Sequence, residues 1–213
     1  MDFSVFSDIA SKLKHLPLPG IAAQGKMTHP LRYQQMIREN PDEYTPKHAA
    51  VLALFYPDQN NLTHLLLIKR AVDGQTHSGQ IAFPGGRCDL SDPDHLATAL
   101  REAREEVGIQ PDLIREITPL TPLYIPPSNH LVYPFMGLYP HNQFIKDARE
   151  VEELIPWSTE TFIESPRYTE HVVITDAGVK LSFPAFDAHG QTVWGATAMV
   201  LSEIRALLTE VVS

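Results

Sequence analysis

Residues 83–109 read FPGGRCDLSDPDHLATALREAREEVGI, and this stretch determines how the rest of the chain is interpreted. A helix is predicted after the Gly-Gly turn, with Asp92 as its N-cap and Pro93 in its first turn, where the missing N–H of proline would be unpaired anyway. Gly108 suits the left-handed position that ends a helix, and Pro111 blocks any continuation. The sequence therefore predicts one helix with a defined start and a defined end.

The predicted helix has an apolar face next to an acidic face, because successive residues are rotated by about 100°. The acidic face carries Glu102, Glu105 and Glu106, whose carboxylates repel one another at this spacing. Oxygen ligands of this kind suit Mg²⁺ or Mn²⁺. The alternative is a solvated face on which Arg101 and Glu105 form an ordinary ion pair. We favour a metal site because the complete Arg-Glu-x-x-Glu-Glu-x-Gly order follows a Gly-Gly turn. The apolar face consists of Leu96, Ala99, Leu100, Ala103 and Val107.

This stretch resembles the Nudix hydrolase box, G-x5-E-x7-R-E-U-x-E-E-x-G-U, in which U is a bulky apolar residue. The second half agrees, with Ala103 as a small departure at the first apolar position. The first half departs more, because the segment from Gly86 to Arg101 is one residue longer and the nearby acids are Asp89 and Asp92. The order Gly-Gly-x-x-Asp-x-x-Asp resembles the coenzyme A diphosphatase branch of the family.

A second motif of that branch, roughly L-L-T-x-R-[SA]-x3-R-x3-G-x3-F-P-G-G, lies just upstream. Here Ile68 replaces the Thr and Gln75 replaces the second Arg. The resemblance implies substrate contacts at Arg70, Gln75, Phe83 and Gly85. An arginine at the end of a strand is often only a surface ion-pair partner, and for Arg70 we favour the substrate contact. Because Gln75 departs from the motif, the chemistry is better defined than the substrate.

The resemblance also implies the roles of the acids in the box. Glu102, Glu105 and Glu106 are expected to hold Mg²⁺ or Mn²⁺, together with the carbonyl oxygen of Gly86, since Nudix enzymes often use the box glycine in this way. Arg101 is expected to orient Glu102 through a charge-assisted hydrogen bond. Divalent ions neutralise a diphosphate, orient it and lower the pKa of an attacking water.

Nudix hydrolases commonly bring one further glutamate from a loop that precedes a strand. Glu150, followed by Val151, matches this pattern best, and Glu152 and Glu153 are the alternatives. On residues alone, an acidic loop leading into a strand is the simpler interpretation. We expect Glu150 to be a metal ligand and, ahead of Glu102, the general base.

Composition excludes several other classes of protein. The chain has 213 residues, 43% of them hydrophobic, which is enough for one sizeable core. Its net charge of −9, without a Lys/Arg cluster, argues against a nucleic acid partner. The longest apolar run, residues 49–56, is too short to cross a bilayer, so no membrane partner is expected. Cys88 is the single cysteine and fits a reducing compartment, and we expect the cytoplasm.

Outside the box, the sequence alternates between strand and helix patterns, with hairpins expected at both ends of the domain. Predicted strands are residues 49–56, 62–70, 80–83, 114–124, 131–139, 171–175 and 179–183, and predicted helices are residues 2–16, 30–40, 158–161 and 192–211. Tyr124, Tyr133 and Phe135 either stack a base or belong to the core, and we favour the core.

The resemblance implies an α/β fold, the Nudix α/β/α sandwich, with a mixed β-sheet between helices over residues 47–213. Residues 1–46 form an N-terminal helical extension with a packing or homodimer role. The implied reaction is hydrolysis of the diphosphate bond of coenzyme A or its derivatives to 3′,5′-ADP and 4′-phosphopantetheine. The alternatives are another nucleoside diphosphate derivative, such as ADP-ribose, NADH or a dinucleotide, and a non-catalytic ligand sensor of the same fold.

Overall fold

The computed structural model describes residues 1–72, 78–174 and 178–212. Short 3-10 turns connect several of the elements that follow. The helices are α1 (Phe3–Leu13), α2 (Gly20–Gln24), α3 (Pro30–Met36), α4 (His95–Val107), α5 (Thr159–Ile163) and α6 (Gly195–Val212). The strands are β1 (Lys47–Pro57), β2 (Thr63–Arg70), β3 (Ile81–Ala82), β4 (Gly85–Arg87), β5 (Arg115–Pro119), β6 (Leu123–Ile125), β7 (His130–Leu138), β8 (Val151–Ser158), β9 (Tyr168–Ile174), β10 (Lys180–Ala188) and β11 (Gln191–Val193).

The main sheet is mixed and has β1 near its centre. Its strand order is β3-β2-β1-β7-β5, with β4 on β1, β6 on β7 and β8 on β2. β1 and β7 are parallel, whereas β1 pairs with β2 in the predicted antiparallel hairpin. β1 is apolar on both faces because helices cover both faces of the sheet. The predicted mixed sheet is confirmed.

Alternate residues of β1 point into two separate cores. Leu52 and Leu54 face α4, where they pack with Ala103 and Val107. Phe55 faces the other way, into a core that α1 and α6 help to build. These two cores, one on each side of the sheet, make the α/β/α sandwich that the resemblance implied.

The predicted strand at residues 114–124 is divided in two. β5 and β6 both pair with β7, and the register of β5 shifts between Arg115 and Thr118. The interruption follows from Pro119 and Pro122, since proline has no N–H to donate to a neighbouring strand. β5 is the edge strand at the end of the strand order, as the prolines predicted.

A second, three-stranded sheet has the order β11-β10-β9 and contains the second predicted hairpin. The predicted connection at residues 176–178 lies partly outside the described residues. The predicted start of the last helix was wrong. Residues 191–193 form β11, in which Val193 pairs with Phe186, and α6 begins at Gly195. Gly195 has φ +62°, a left-handed conformation that separates strand from helix.

The N-terminal segment is helical, as predicted, and packs against α6. The fully buried Glu203 accepts hydrogen bonds from the Gln24 side chain (2.9 Å) and from the Thr121 hydroxyl (2.6 Å). The Ser202 hydroxyl donates to the carbonyl of Ala23 at 2.7 Å. Phe6 of α1 packs its ring 4.7 Å from that of Phe55. Residues 1–46 thus share a core with the sheet, and the division of the chain at residues 46 and 47 remains a prediction.

None of the helices in the described part of the chain combines the length and the low polarity that a membrane span requires.

Candidate active site

Helix α4 starts two residues later than the sequence predicted. Its N-cap is Asp94, whose carboxylate accepts the N–H of Ala97 at 2.8 Å, so the predicted cap at Asp92 was wrong. Asp92 lies ahead of the helix, where its carboxylate is occupied by Arg101 and Thr98. The predicted end is confirmed, because Gly108 has φ +72°.

The Gly-Gly turn brings the backbone against β1 and against α4. Gly85 and Gly86 pair with Val51 and Ala50. A Cβ at Gly85 would lie 2.4 Å from the carbonyl oxygen of Ala50, and a Cβ at Gly86 would lie 2.3 Å from Oε2 of Glu102. A side chain at Gly86 would displace the carboxylate of Glu102, which occupies the space that a Cβ would fill. The sequence predicted Gly86 and Glu102 for the same metal site, and the structure brings them together.

Glu106 is a buried carboxylate, with 1% of its surface exposed. One oxygen accepts the N–H of Gly85 at 2.8 Å, and the other lies 3.3 Å from the guanidinium of Arg70. Burial raises the pKa of Glu106 to about 7, although the Gly85 N–H and Arg70 both favour the charged form. An additional positive charge nearby is therefore expected to stabilise the charged form of Glu106.

The pKa of Glu102 is shifted in the same direction. Burial raises its pKa, Arg101 opposes that shift, and the charges of Glu105 and Glu150 add to it. The charge of Glu150 also raises the pKa of Glu106. The charges of Glu105 and Glu150 thus act on Glu102, and those of Glu102 and Glu150 act on Glu106.

Arg101 connects the acids of the box. Its guanidinium donates to Glu102 at 2.8 Å and to Glu105 at 3.3 Å, so the predicted hydrogen bond between Arg101 and Glu102 is present. It also donates to the carbonyl of Arg87 at 3.1 Å and twice to Asp92. The role of Asp92 as the anchor of Arg101 was not predicted from the sequence. The available signal was that an aspartate stands near the place where the standard box has a glutamate.

The loop that carries Glu150 is fixed to the end of α4. The N–H of Ile145 donates to the carbonyl of Val107 at 3.1 Å, and that of Asp147 donates to the carbonyl of Glu106 at 3.0 Å. These two bonds satisfy carbonyls that the helix terminus leaves unpaired. The carbonyl of Glu150 accepts the N–H of Ala71 at 2.8 Å. The position of Glu150 is thus determined relative to both Glu106 and Arg70.

The alternatives to Glu150 lie along β8 on the surface. Glu152 forms an ion pair with Lys69 at 2.7 Å, and this salt bridge lies on the surface. Glu153 is exposed and lies opposite Lys69 in the pairing of β8 with β2. The charge of Glu150 raises the pKa of both Glu102 and Glu106, which favours Glu150 over these alternatives.

Only some of the residues predicted to contact substrate lie beside the glutamates. Arg70 joins the glutamates through Glu106, and Gly85 joins them through its N–H. Phe83 does not, because its ring is 3% exposed and packs in the core on the α6 side of the sheet. Gln75 lies outside the described residues.

The three aromatic residues after the box have separate environments. Tyr124 is 8% exposed and stacks on Tyr44, with ring centroids 5.3 Å apart. Tyr133 stacks on His95 at 3.5 Å, and Phe135 packs against the core on the α4 side. Each ring already has a packing partner, as the core interpretation expected.

The residues fit a divalent cation, although their side chains are held apart. In the residues that the structure describes, no group of three or more His, Cys, Asp or Glu side chains is arranged to hold a metal ion. Two of the acids are instead neutralised by arginines, Glu102 by Arg101 and Glu106 by Arg70. The donors are all oxygens, two of the carboxylates have a pKa raised by burial, and the lack of a side chain at Gly86 lets the Glu102 carboxylate lie against the Gly-Gly turn.

Comparison with known proteins gives consistent results. The NUDIX domain family model matches residues 46–169. The chain is 34% identical over 191 residues to the Arabidopsis thaliana protein named Nudix hydrolase 15, mitochondrial; the match covers 83% of this chain and 65% of that protein, slightly less than two thirds of its length. It is 34% identical over 141 residues to a Yersinia pestis protein named uncharacterized Nudix hydrolase NudL, covering 66% of this chain and 70% of that one.

Among solved structures, a Nudix hydrolase from M. smegmatis, RenU, superposes with a TM-score of 0.50 at 16% sequence identity. The superposition covers 78% of this chain and 87% of that one. At this level of identity the similarity is one of fold.

Proposed function

The chain belongs to the Nudix hydrolase family, and on that premise we propose that it hydrolyses the diphosphate bond of a nucleoside diphosphate derivative with Mg²⁺ or Mn²⁺. The observation that carries this proposal is the position of two glutamates of α4 against the Gly-Gly turn. Glu106 accepts the N–H of Gly85, the Glu102 carboxylate lies beside Gly86, and burial raises the pKa of both. Carboxylates that repel one another in a partly buried site are stable there when cations are bound.

In this proposal, Glu102, Glu105, Glu106, Glu150 and the carbonyl of Gly86 hold the cations. When bound there, divalent cations would neutralise the diphosphate and lower the pKa of the attacking water. Glu150 accepts the proton of that water, with Glu102 as the alternative base. Arg101 favours the charged form of Glu102 and orients it, because its guanidinium donates to that carboxylate at 2.8 Å.

For the substrate we propose coenzyme A or one of its derivatives, cleaved to 3′,5′-ADP and 4′-phosphopantetheine. The support is the order of residues upstream of the box together with the Gly-Gly-x-x-Asp-x-x-Asp spacing. ADP-ribose, NADH and dinucleotides are the competing substrates, since Gln75 stands where the branch has an arginine. A non-catalytic sensor is disfavoured by the complete set of box acids.

The test is incubation with Mg²⁺ or Mn²⁺ and a mixed panel of these compounds, followed by mass spectrometry. We expect 4′-phosphopantetheine as the dominant new product. Glu105→Gln and Glu106→Gln should each reduce turnover by about 10²-fold or more while the protein stays folded. The matched control is Glu160→Gln, an exposed glutamate on α5. Undiminished cleavage in both box variants would contradict the proposal, and ligand binding without any product would support a sensor.

The predicted homodimer and the predicted cytoplasmic location are also proposals. Cys88 is a free cysteine, which suits a reducing compartment. Light scattering on the purified chain tests the dimer, and cell fractionation tests the location.

A further inference from the structure

Arg70 is the last residue of β2, and its backbone is fixed on both sides. Its N–H donates to the carbonyl of Gln80 at 3.0 Å, and it pairs with Val151 across an irregularity in the register. Its side chain is one third exposed, and its guanidinium lies 3.3 Å from Oε1 of Glu106. Arg70 thus neutralises Glu106, a carboxylate that is expected to be a ligand of the divalent cation.

Glu106 does not depend on Arg70 for its position. Its other oxygen accepts the N–H of Gly85 at 2.8 Å, and the side chain is almost completely buried. Arg70 therefore provides mainly counter-charge, which a buried carboxylate needs. Any other cation at the same place would meet the same need.

The two arginines of the site differ in how firmly they are held. Arg101 makes two bonds of 2.9 Å to Asp92 and a further bond of 3.1 Å to the carbonyl of Arg87, so its guanidinium is anchored independently of Glu102. Among the described residues, the guanidinium of Arg70 makes a single, longer contact, with Glu106. Arg70 is consequently the cation that can leave its carboxylate at small cost.

We propose that Arg70 exchanges partners during binding. Its guanidinium neutralises Glu106 while the cation site is empty, leaves Glu106 when a divalent cation binds there, and then contacts the negatively charged oxygens of the diphosphate. Cation binding and diphosphate binding are coupled through this one side chain. The inference rests on the proposed function, because it requires that Glu106 contacts the cation.

Calorimetric titration with Mn²⁺ alone, at pH 8 and without substrate, tests the competition. Arg70→Gln is expected to bind Mn²⁺ about fivefold more tightly than the wild type, a factor in the range of one partly exposed ion pair. Arg70→Lys keeps the competing charge and should bind Mn²⁺ as the wild type does. The matched control is Lys69→Gln, whose neighbouring ion pair with Glu152 lies on the surface.

NMR of protein labelled with ¹⁵N-arginine follows the side chain itself. The Nε–H signal of Arg70, assigned by its absence in Arg70→Lys, should shift on titration with Mg²⁺ and shift again when ADP is added as a diphosphate probe. The signal of Arg101 should shift less in the first titration. Equal Mn²⁺ affinities for wild type and Arg70→Gln, with a static Arg70 signal, would overturn the exchange alone. If the wild type binds neither Mn²⁺ nor Mg²⁺, both the exchange and the proposed function are contradicted.

Discussion

Both carboxylate oxygens of Asp92 accept a hydrogen bond of 2.9 Å from the guanidinium of Arg101. The hydroxyl of Thr98 donates to one of the same oxygens at 2.8 Å. Arg101 holds the pKa of Asp92 well below its ordinary range, and Asp92 in turn raises that of Arg101. This two-point contact fixes the plane of the guanidinium and directs its remaining nitrogen towards Glu102 and Glu105.

Asp92→Asn is therefore expected to reduce turnover without removing any atom that contacts the substrate. An amide offers one oxygen and cannot accept both guanidinium bonds, so Arg101 loses its orientation. We expect kcat to fall by about 10-fold to 100-fold with a smaller change in KM. Asp89→Asn, in the same loop but bonded to Ser91, is the control. Wild-type kcat in Asp92→Asn would show that Arg101 needs no anchor.

The two glycines of the turn should respond differently to alanine. At Gly86 the added Cβ meets the flexible end of Glu102, so Gly86→Ala should fold while cation affinity and turnover fall. At Gly85 the Cβ meets the backbone of β1, and φ is +153°, so Gly85→Ala should be strongly destabilised. Denaturant unfolding and Mn²⁺ titration of both variants separate the two effects. Similar losses of stability in both would contradict this assignment.

Glu106 is expected to destabilise the cation-free protein as the pH rises. Its pKa is about 7 in the folded chain against an ordinary value of 4.5, so its contribution is most favourable below 4.5 and is lost as the pH rises through 7. The whole effect is on the order of 3 kcal/mol. Glu106→Gln should therefore gain stability relative to the wild type between pH 5 and pH 8.

Urea unfolding at both pH values, in the presence of a chelator, measures this difference. Glu105→Gln is the control, because Glu105 is 57% exposed on the same helix and should show no comparable gain. An equal pH dependence for Glu106→Gln and the wild type would mean that the buried carboxylate carries no such penalty.

Cation binding should weaken as the pH is lowered through the pKa of Glu106. Protons compete with the cation for the carboxylate, so the affinity for Mn²⁺ is expected to fall by about tenfold from pH 8 to pH 6. Glu106→Gln should bind more weakly at both pH values and with little dependence on pH. Calorimetric titration gives both comparisons, and a flat profile for the wild type would remove Glu106 from the ligand set.

Glu203 should matter for stability although it lies away from the box. Glu203→Ala leaves the Thr121 hydroxyl and the amide of Gln24 without their buried acceptor, which should cost about 2–3 kcal/mol in the free energy of unfolding. Glu210→Ala, exposed on the same helix, is the control and should change stability by less than about 0.5 kcal/mol. Equal unfolding midpoints for the two variants would show that the extension is not held through this contact.

The features that could be predicted from the sequence are those determined by residues close together along the chain. The acidic face of α4, its end at Gly108 and the hairpin of β1 and β2 all follow from local spacing. The N-cap was predicted wrongly at Asp92, because Asp92 and Asp94 are equally good caps and a partner nine residues after Asp92 selects between them. The pairing of Arg70 with Glu106 joins two separate motifs, which only the folded sheet brings together.

The same limit explains why the core position of Phe83 was not predicted. The resemblance implied a substrate contact at Phe83, yet side chains of successive residues in an extended segment point to opposite faces. Ile81 and Phe83 both lie in the core on the α6 side, which places the Phe83 ring away from the glutamates. The alternation was visible in the sequence, but the face that belongs to the site was not.

The parallel pairing of β1 with β7 has a consequence for synthesis of the chain. Its register runs from Lys47 opposite His130 to Phe55 opposite Leu138, with α4 and five strands in between. A ribosome must release all of that intervening chain before the centre of the sheet can close. Until then the apolar side chains of β1 are open to solvent, and we expect nascent chains stalled before β7 to be bound by chaperones or to aggregate.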